Sequence, residues 1–185
     1  MEKRPLLFSG LFFILGAAAF FSLPIVCAAE RARLLESEPY FQAPVFSASG
    51  VLRLRNDAYG KGYFGASRNR GRKHRGIDIL APIGEPVLAA KSGRTAFSGD
   101  GKGYGDLIEI VHSDGLRTRY AHLSRREIVE GDWVEKGSVI GRSGRTGNAV
   151  NPHIKPHLHF EIRDADHALD PGQSWLDPTL RIQKK

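Results

Sequence analysis

The sequence predicts an all-β domain, a compact antiparallel sheet or sandwich with a groove. Three observations predict it. Short runs of alternating apolar and polar residues begin at Val51 and recur to the C-terminal region. The chain has 21 glycines, the punctuation that many short strands require. No long 3.6-residue periodicity follows residue 30.

The elements follow in order. Val51, Leu52, Arg53, Leu54 and Arg55 alternate, the mark of a strand with one face buried. Residues 87–90, 95–97 and 106–112 read as further strands. Ser113, Asp114 and Gly115 form a tight-turn signal leading into residues 116–123, which predicts a hairpin. Turn residues at 130–132, 136–137 and 143–144 punctuate the next short strands. Residues 124–129 are the one candidate helical turn in this part of the chain. There is no internal repeat.

Upstream of this region the composition changes. Glu2, Lys3 and Arg4 precede an apolar run from Leu6 to Phe21, then Pro24 and the small-residue end Cys27-Ala28-Ala29. That is the layout of a secretory leader over residues 1–29, with cleavage after Ala28 or Ala29. An uncleaved membrane anchor is the alternative, near the lower length limit of about 17 residues for a spanning helix. Membrane contact is expected only in that second case. Cys27 is the only cysteine, and either cleavage removes it, so core packing or a metal must hold the fold. Residues 30–50 have few periodic apolar positions and read as a linker or N-terminal arm, leaving 51–182 as the folded domain.

The formal net charge is +7, of which the leader carries +1. A basic exported protein is drawn to anionic polymers, and export disfavours nucleic acid among them.

The chemistry-bearing residues concentrate in three segments. His157, Leu158, His159, Phe160, Glu161 and Ile162 alternate, so His157, His159 and Glu161 share one strand face and the apolar residues the other. His74 and Asp78 are four apart. On a strand they share a face, with Gly76 leaving space between them, and Ile77 and Ile79 turn to the core. On a helix they would also share a face, but Gly76 and the β-branched isoleucines argue against a helix. Tyr120, Ala121, His122 and Leu123 form the third segment. Imidazoles with a carboxylate are the donor types that suit Zn²⁺.

These segments, taken with Ala81-Pro82-Ile83-Gly84-Glu85-Pro86-Val87, Gly131-Asp132-Trp133-Val134 and Gly141-Arg142-Ser143-Gly144, resemble the LytM/lysostaphin-type zinc metallopeptidases of family M23. Order and spacing match from about Gly60 to Arg163. Asp57, Gly60, Gly62, Phe64, Gly65 and Arg68 fit the family's first strand, and Asp177-Pro178 its C-terminal end. The resemblance implies the family's duplicated hybrid-motif fold and one zinc ion per chain. It implies His74, Asp78 and His159 as zinc ligands, His157 as general base and His122 as the second catalytic histidine. Three ligands leave a fourth position for water, which zinc would activate for attack on a peptide bond. Glu161 is either an orienting partner of a ligand imidazole or a plain surface carboxylate.

The implied function is an exported zinc endopeptidase acting on the stem peptides or cross-links of peptidoglycan. The alternative is a non-catalytic relative that binds the wall or activates an amidase. A structural zinc site is disfavoured, because such sites usually have four protein ligands. His112, at a strand end, reads as structural. His153 lies in residues 148–155, an apparent insertion relative to the family, and reads as a solvated loop residue like His167.

Overall fold

The computed structural model describes residues 28–184. The chain divides after Ser37. Residues 28–37 form a helix. The expected leader at 1–29 lies outside the described residues except for its last two. Among the described residues, no helix is long and apolar enough to cross a membrane.

From Glu38 onward the chain is a β domain. Its strands are β1 (Val51–Arg53), β2 (Asn56–Asp57), β3 (Gly60–Lys61), β4 (Ile77–Leu80), β5 (Pro86–Leu88), β6 (Gly93–Gly101) and β7 (Gly105–His112). They continue with β8 (Arg117–Arg126), β9 (Trp133–Val134), β10 (Val139–Ser143), β11 (His157–Asp164), β12 (His167–Leu169) and β13 (Arg181–Gln183). The main sheet runs in the order β12-β11-β8-β7-β6-β9. Strand β4 adds to β11, and β10 bridges β8 and β5. All these pairings are antiparallel, as expected. Strand β1 instead pairs in parallel with β13.

The predicted hairpin is β7–β8. Its turn closes by bonds from the His112 N–H to the Leu116 carbonyl and from the Gly115 N–H back to His112. Gly115 takes φ 87°, which costs glycine nothing. The helical turn expected at 124–129 is absent. Strand β8 runs on to Arg126 because Arg125 and Arg126 pair with Arg142 and Gly141 of β10. Ladder pairing there outweighs local preference.

The core lies on one side of β4, β8 and β11. Ile77, Ile79, Tyr120, Leu158, Phe160 and Ile162 are each at most 1% exposed. Each such side chain contributes about 1.5–3 kcal/mol on burial. Alternation then forces Asp78, His157, His159 and Glu161 onto the other face.

The segment expected as a linker or arm is continuous with this domain from Glu38 to Gly50. Phe41 is buried in the core and bridges Leu176, and Val45 bridges Val87. The Glu38 carboxylate accepts the Ser92 amide (2.8 Å) and hydroxyl (2.6 Å).

Candidate metal centre

Three strands and two loops bring the site together. His159 and Asp78 are cross-strand partners on β11 and β4. Partners directly opposite in an antiparallel pair project to the same side. His74 is not on a strand, contrary to the period-two expectation. It precedes β4 in a loop pinned by bonds from its amide to the Ala66 carbonyl and from the Gly65 amide to its own carbonyl. Nor does Gly76 leave open space. A Cβ there would run into the Phe160 carbonyl and the Glu161 side chain, so glycine is what lets this loop lie flat on β11.

The donor atoms converge. His74 Nε2, Asp78 Oδ1 and His159 Nδ1 form a triangle with edges of 2.9–3.0 Å, and all three residues are buried. Ligands about 2.0–2.1 Å from a tetrahedral zinc ion stand about 3.3 Å apart, so the triangle need open only slightly. The second atom of each group is already engaged. His74 Nδ1 donates to the Tyr63 carbonyl (2.9 Å), which leaves Nε2 as a lone pair in the neutral ring. His159 Nε2 meets Glu161 Oε1 at 3.0 Å, which directs Nδ1 inward. Asp78 Oδ2 accepts from Arg55 Nε (3.2 Å), Arg55 Nη2 (3.0 Å) and Arg68 Nη2 (3.0 Å). Only Oδ1 remains for a metal.

Glu161 is fully buried, which removes the reading of it as a surface carboxylate. Besides His159 it accepts from Tyr104 Oη (2.8 Å) and Arg163 Nη1 (2.7 Å). Burial would raise its pKa, but these donors, His159 foremost, hold it down to about 2. Burial likewise favours the neutral form of His159, yet Asp78 and Glu161 on its two nitrogens push it up to about 9. Burial opposes ionisation of Asp78 too, and His159 and His74 hold its carboxyl well below the usual range. Carboxylates that stabilise positive charge on His159 would do the same for a cation at the convergence point.

Two further imidazoles border the triangle. His157 Nδ1 donates to the Lys155 carbonyl (2.7 Å) and its Nε2 stands 3.8 Å from Asp78 Oδ1. His122 Nδ1 donates to the Thr146 carbonyl (2.9 Å), and its ring centroid is 5.1 Å from His157 and 5.8 Å from His159. Burial lowers the pKa of both, that of His122 to about 3 with help from His159 and His157. Strict alternation would send His122 to the core side with Tyr120. A register shift in the β7–β8 ladder and a left-handed backbone at His122 (φ 62°) turn it to the metal side. A bulge re-aims a side chain in this way, and non-glycine strain of this kind gathers at functional sites.

The five site residues expected from sequence therefore lie together. The expected non-participants lie apart. His112 has both ring nitrogens bonded, to the Ser92 carbonyl and Thr118 Oγ1. His153 is exposed and stacks on Tyr59, and His167 is exposed on β12. Sequence reasoning missed Arg55, Tyr104 and the carbonyls of Thr146 and Lys155. Arg55 falls in phase with exposed Arg53, so periodicity carried no sign of its burial.

The chain is similar to known proteins in sequence and in fold. The model of peptidase family M23 matches residues 72–171. The DD-carboxypeptidase/endopeptidase Mpg of Neisseria meningitidis serogroup B is 43% identical over 100 residues, 54% of this chain and 22% of that protein. The peptidoglycan DD-endopeptidase ShyC of Vibrio cholerae is 39% identical over 91 residues, 49% of this chain and 20% of that protein. The chain thus spans about a fifth of the length of these relatives. The catalytic domain of lysostaphin from Staphylococcus simulans superposes with a TM-score of 0.52 at 36% identity, over 63% of this chain and 89% of that domain. A match across more than half of the 185 residues, over a fold shared with that domain, means that the chain belongs to peptidase family M23.

Proposed function

We propose that the chain is an exported zinc-dependent endopeptidase that hydrolyses peptide bonds in the stem peptides or cross-links of peptidoglycan. The observation that carries this reading is the pair His122 and His157. Each commits Nδ1 to a backbone carbonyl; His157 Nε2 then stands 3.8 Å from Asp78 Oδ1, and the His122 ring packs against those of His157 and His159. A structural metal site has no use for two spare imidazoles. The family relatives named as peptidoglycan DD-endopeptidase and DD-carboxypeptidase/endopeptidase support the substrate class. The leader layout of residues 1–29 supports export, and residues 51–182 hold the whole candidate site.

In this reading His74, Asp78 and His159 hold zinc. Zinc bound there supplies a Lewis acid for the scissile carbonyl and lowers the pKa of water toward ~7. With its Nδ1–H engaged, neutral His157 presents an Nε2 lone pair, an acceptor for the proton of the attacking water. As the water oxygen bonds to the carbonyl carbon and the C–N bond breaks, His157 passes that proton to the leaving amine. His122 also rests as an acceptor. It donates from Nε2 only when protonated, a form that the negative charge developing on the carbonyl oxygen favours. Burial of both rings removes water that would weaken these interactions.

The test is digestion of purified peptidoglycan, with mass spectrometry of the released fragments. New amino termini that appear with metal and vanish with chelator are expected, and they name the bond cut. An intact wall in the presence of bound zinc would overturn the peptidase reading.

A further inference from the structure

One chain of bonds runs outward from the aspartate ligand and returns to the general base. Asp78 Oδ2 accepts Arg55 Nε and Nη2. The third donor of the same guanidinium, Arg55 Nη1, goes to Asp57 Oδ1 at 2.8 Å. Asp57 Oδ2 accepts the backbone N–H of Lys155 at 3.1 Å. The Lys155 carbonyl accepts His157 Nδ1. The carboxylate of Asp57 and the guanidinium of Arg55 are 7% and 6% exposed.

Asp57 is fixed in turn. Its Oδ1 also accepts the Tyr59 N–H (2.9 Å) across the β2–β3 hairpin. Burial would raise its pKa, but the Lys155 amide and Arg55 lower it, so it is a carboxylate. The hairpin and the 148–155 loop touch twice more. Lys155 Nζ donates to the Asn56 carbonyl (3.2 Å), and Tyr59 stacks on His153 with ring centroids 6.3 Å apart.

We infer that Asp57 is a positioning residue that couples the aspartate ligand to the general base, by holding Arg55 on Asp78 and Lys155 under His157. The inference rests on the peptidase reading for its consequence in catalysis, though not for its geometry. It gives the 148–155 loop a task. Lys155, its last residue, supplies the carbonyl that sets the His157 tautomer, and Asp57 sets where Lys155 sits. It also balances charge. Two guanidiniums bear on Asp78, and without Asp57 they would outweigh it beside a dication. Partners at this remove from a metal change affinity or activity by about 10- to 100-fold.

The test uses the full chain and Asp57→Asn. This variant keeps the shape but must turn an NH₂ donor toward either Arg55 or the Lys155 amide. Zinc affinity is read by competition with a chromophoric chelator. The His157 tautomer is read by ¹⁵N-histidine NMR of the zinc-loaded protein, its signals assigned with His157→Gln. Weaker zinc binding by about 10- to 100-fold, and a mixed His157 tautomer in place of a single Nδ1–H form, are expected. Turnover should fall in kcat more than in KM. Arg55→Lys keeps the buried charge but cannot bridge both carboxylates, and it replaces Asp57→Asn should that variant not fold. A folded variant with zinc affinity within about twofold of wild type and an unchanged tautomer would overturn the relay. Neither readout needs turnover, so an inactive wild type would defeat the peptidase reading and leave the relay standing.

Discussion

His112 and His122 lie on neighbouring strands of one sheet, and both are buried with lowered pKa values. By burial and electrostatics they are near twins. They differ in their nitrogens. His112 spends both, on the Ser92 carbonyl and Thr118 Oγ1, inside a cluster that also holds Phe41, Lys91 and Asp114. His122 spends Nδ1 on the Thr146 carbonyl, and its ring packs against those of His157 and His159. A buried, neutral histidine is therefore not in itself a mark of catalysis. A committed nitrogen opposite a spare one, aimed at a convergence of donors, is the mark.

The sharpest way to break this comparison is at the spare nitrogens. His157→Ala should lower kcat by about 10²- to 10⁴-fold, the range for a general base, while zinc stays bound. His112→Gln should leave kcat unchanged in the folded protein. Equal losses from the two variants, measured on peptidoglycan fragments, would erase the distinction.

Metal removal ranks next. Zinc would join His74 and Asp78 to His159, some 80 residues apart in sequence. At free zinc about 1,000-fold above Kd, binding adds about 4 kcal/mol of stability. Chelation should lower the melting temperature of wild type and leave that of His159→Ala unmoved. An unchanged wild-type melting curve after verified metal loss would contradict the coupling.

The pH dependence of stability sharpens the His112 side. Burial holds His112 at about 4 in the folded chain, against about 6.5 unfolded. Between those values the unfolded chain binds more protons, so stability is intact above about pH 6.5 and is lost as pH falls. The loss is complete below about pH 4 and amounts to about 3 kcal/mol. Urea unfolding of wild type and His112→Gln at pH 7 and pH 5 checks it. The variant should be less stable at pH 7, by about 1–3 kcal/mol for the partners left unpaired, and less sensitive to pH. The smallest effect is expected at exposed His153, where His153→Ala should change stability by less than about 0.5 kcal/mol.

What the sequence discloses follows the same division. The face of His157, His159 and Glu161 was legible because β11 keeps period two throughout. Asp78 was legible by the same rule on β4. His74 reaches them from a loop, so its membership rested on residue type and resemblance, not on periodicity. The position of His122 was hidden, because a bulge reverses the face that alternation assigns. Residues 38–50 looked like linker because single anchors, Phe41 and Glu38, make no pattern. The Arg55 clamp was invisible for a related reason: its burial comes from packing against β4, a contact across more than twenty residues.

One measurement bears most directly on the central claim. Zinc content and the rate of release of new amino termini from peptidoglycan are measured on the same samples of wild type and His157→Ala. The account predicts one zinc per chain in both proteins and cleavage by wild type alone. Cleavage by zinc-loaded His157→Ala at the wild-type rate, or none by zinc-loaded wild type, would contradict it.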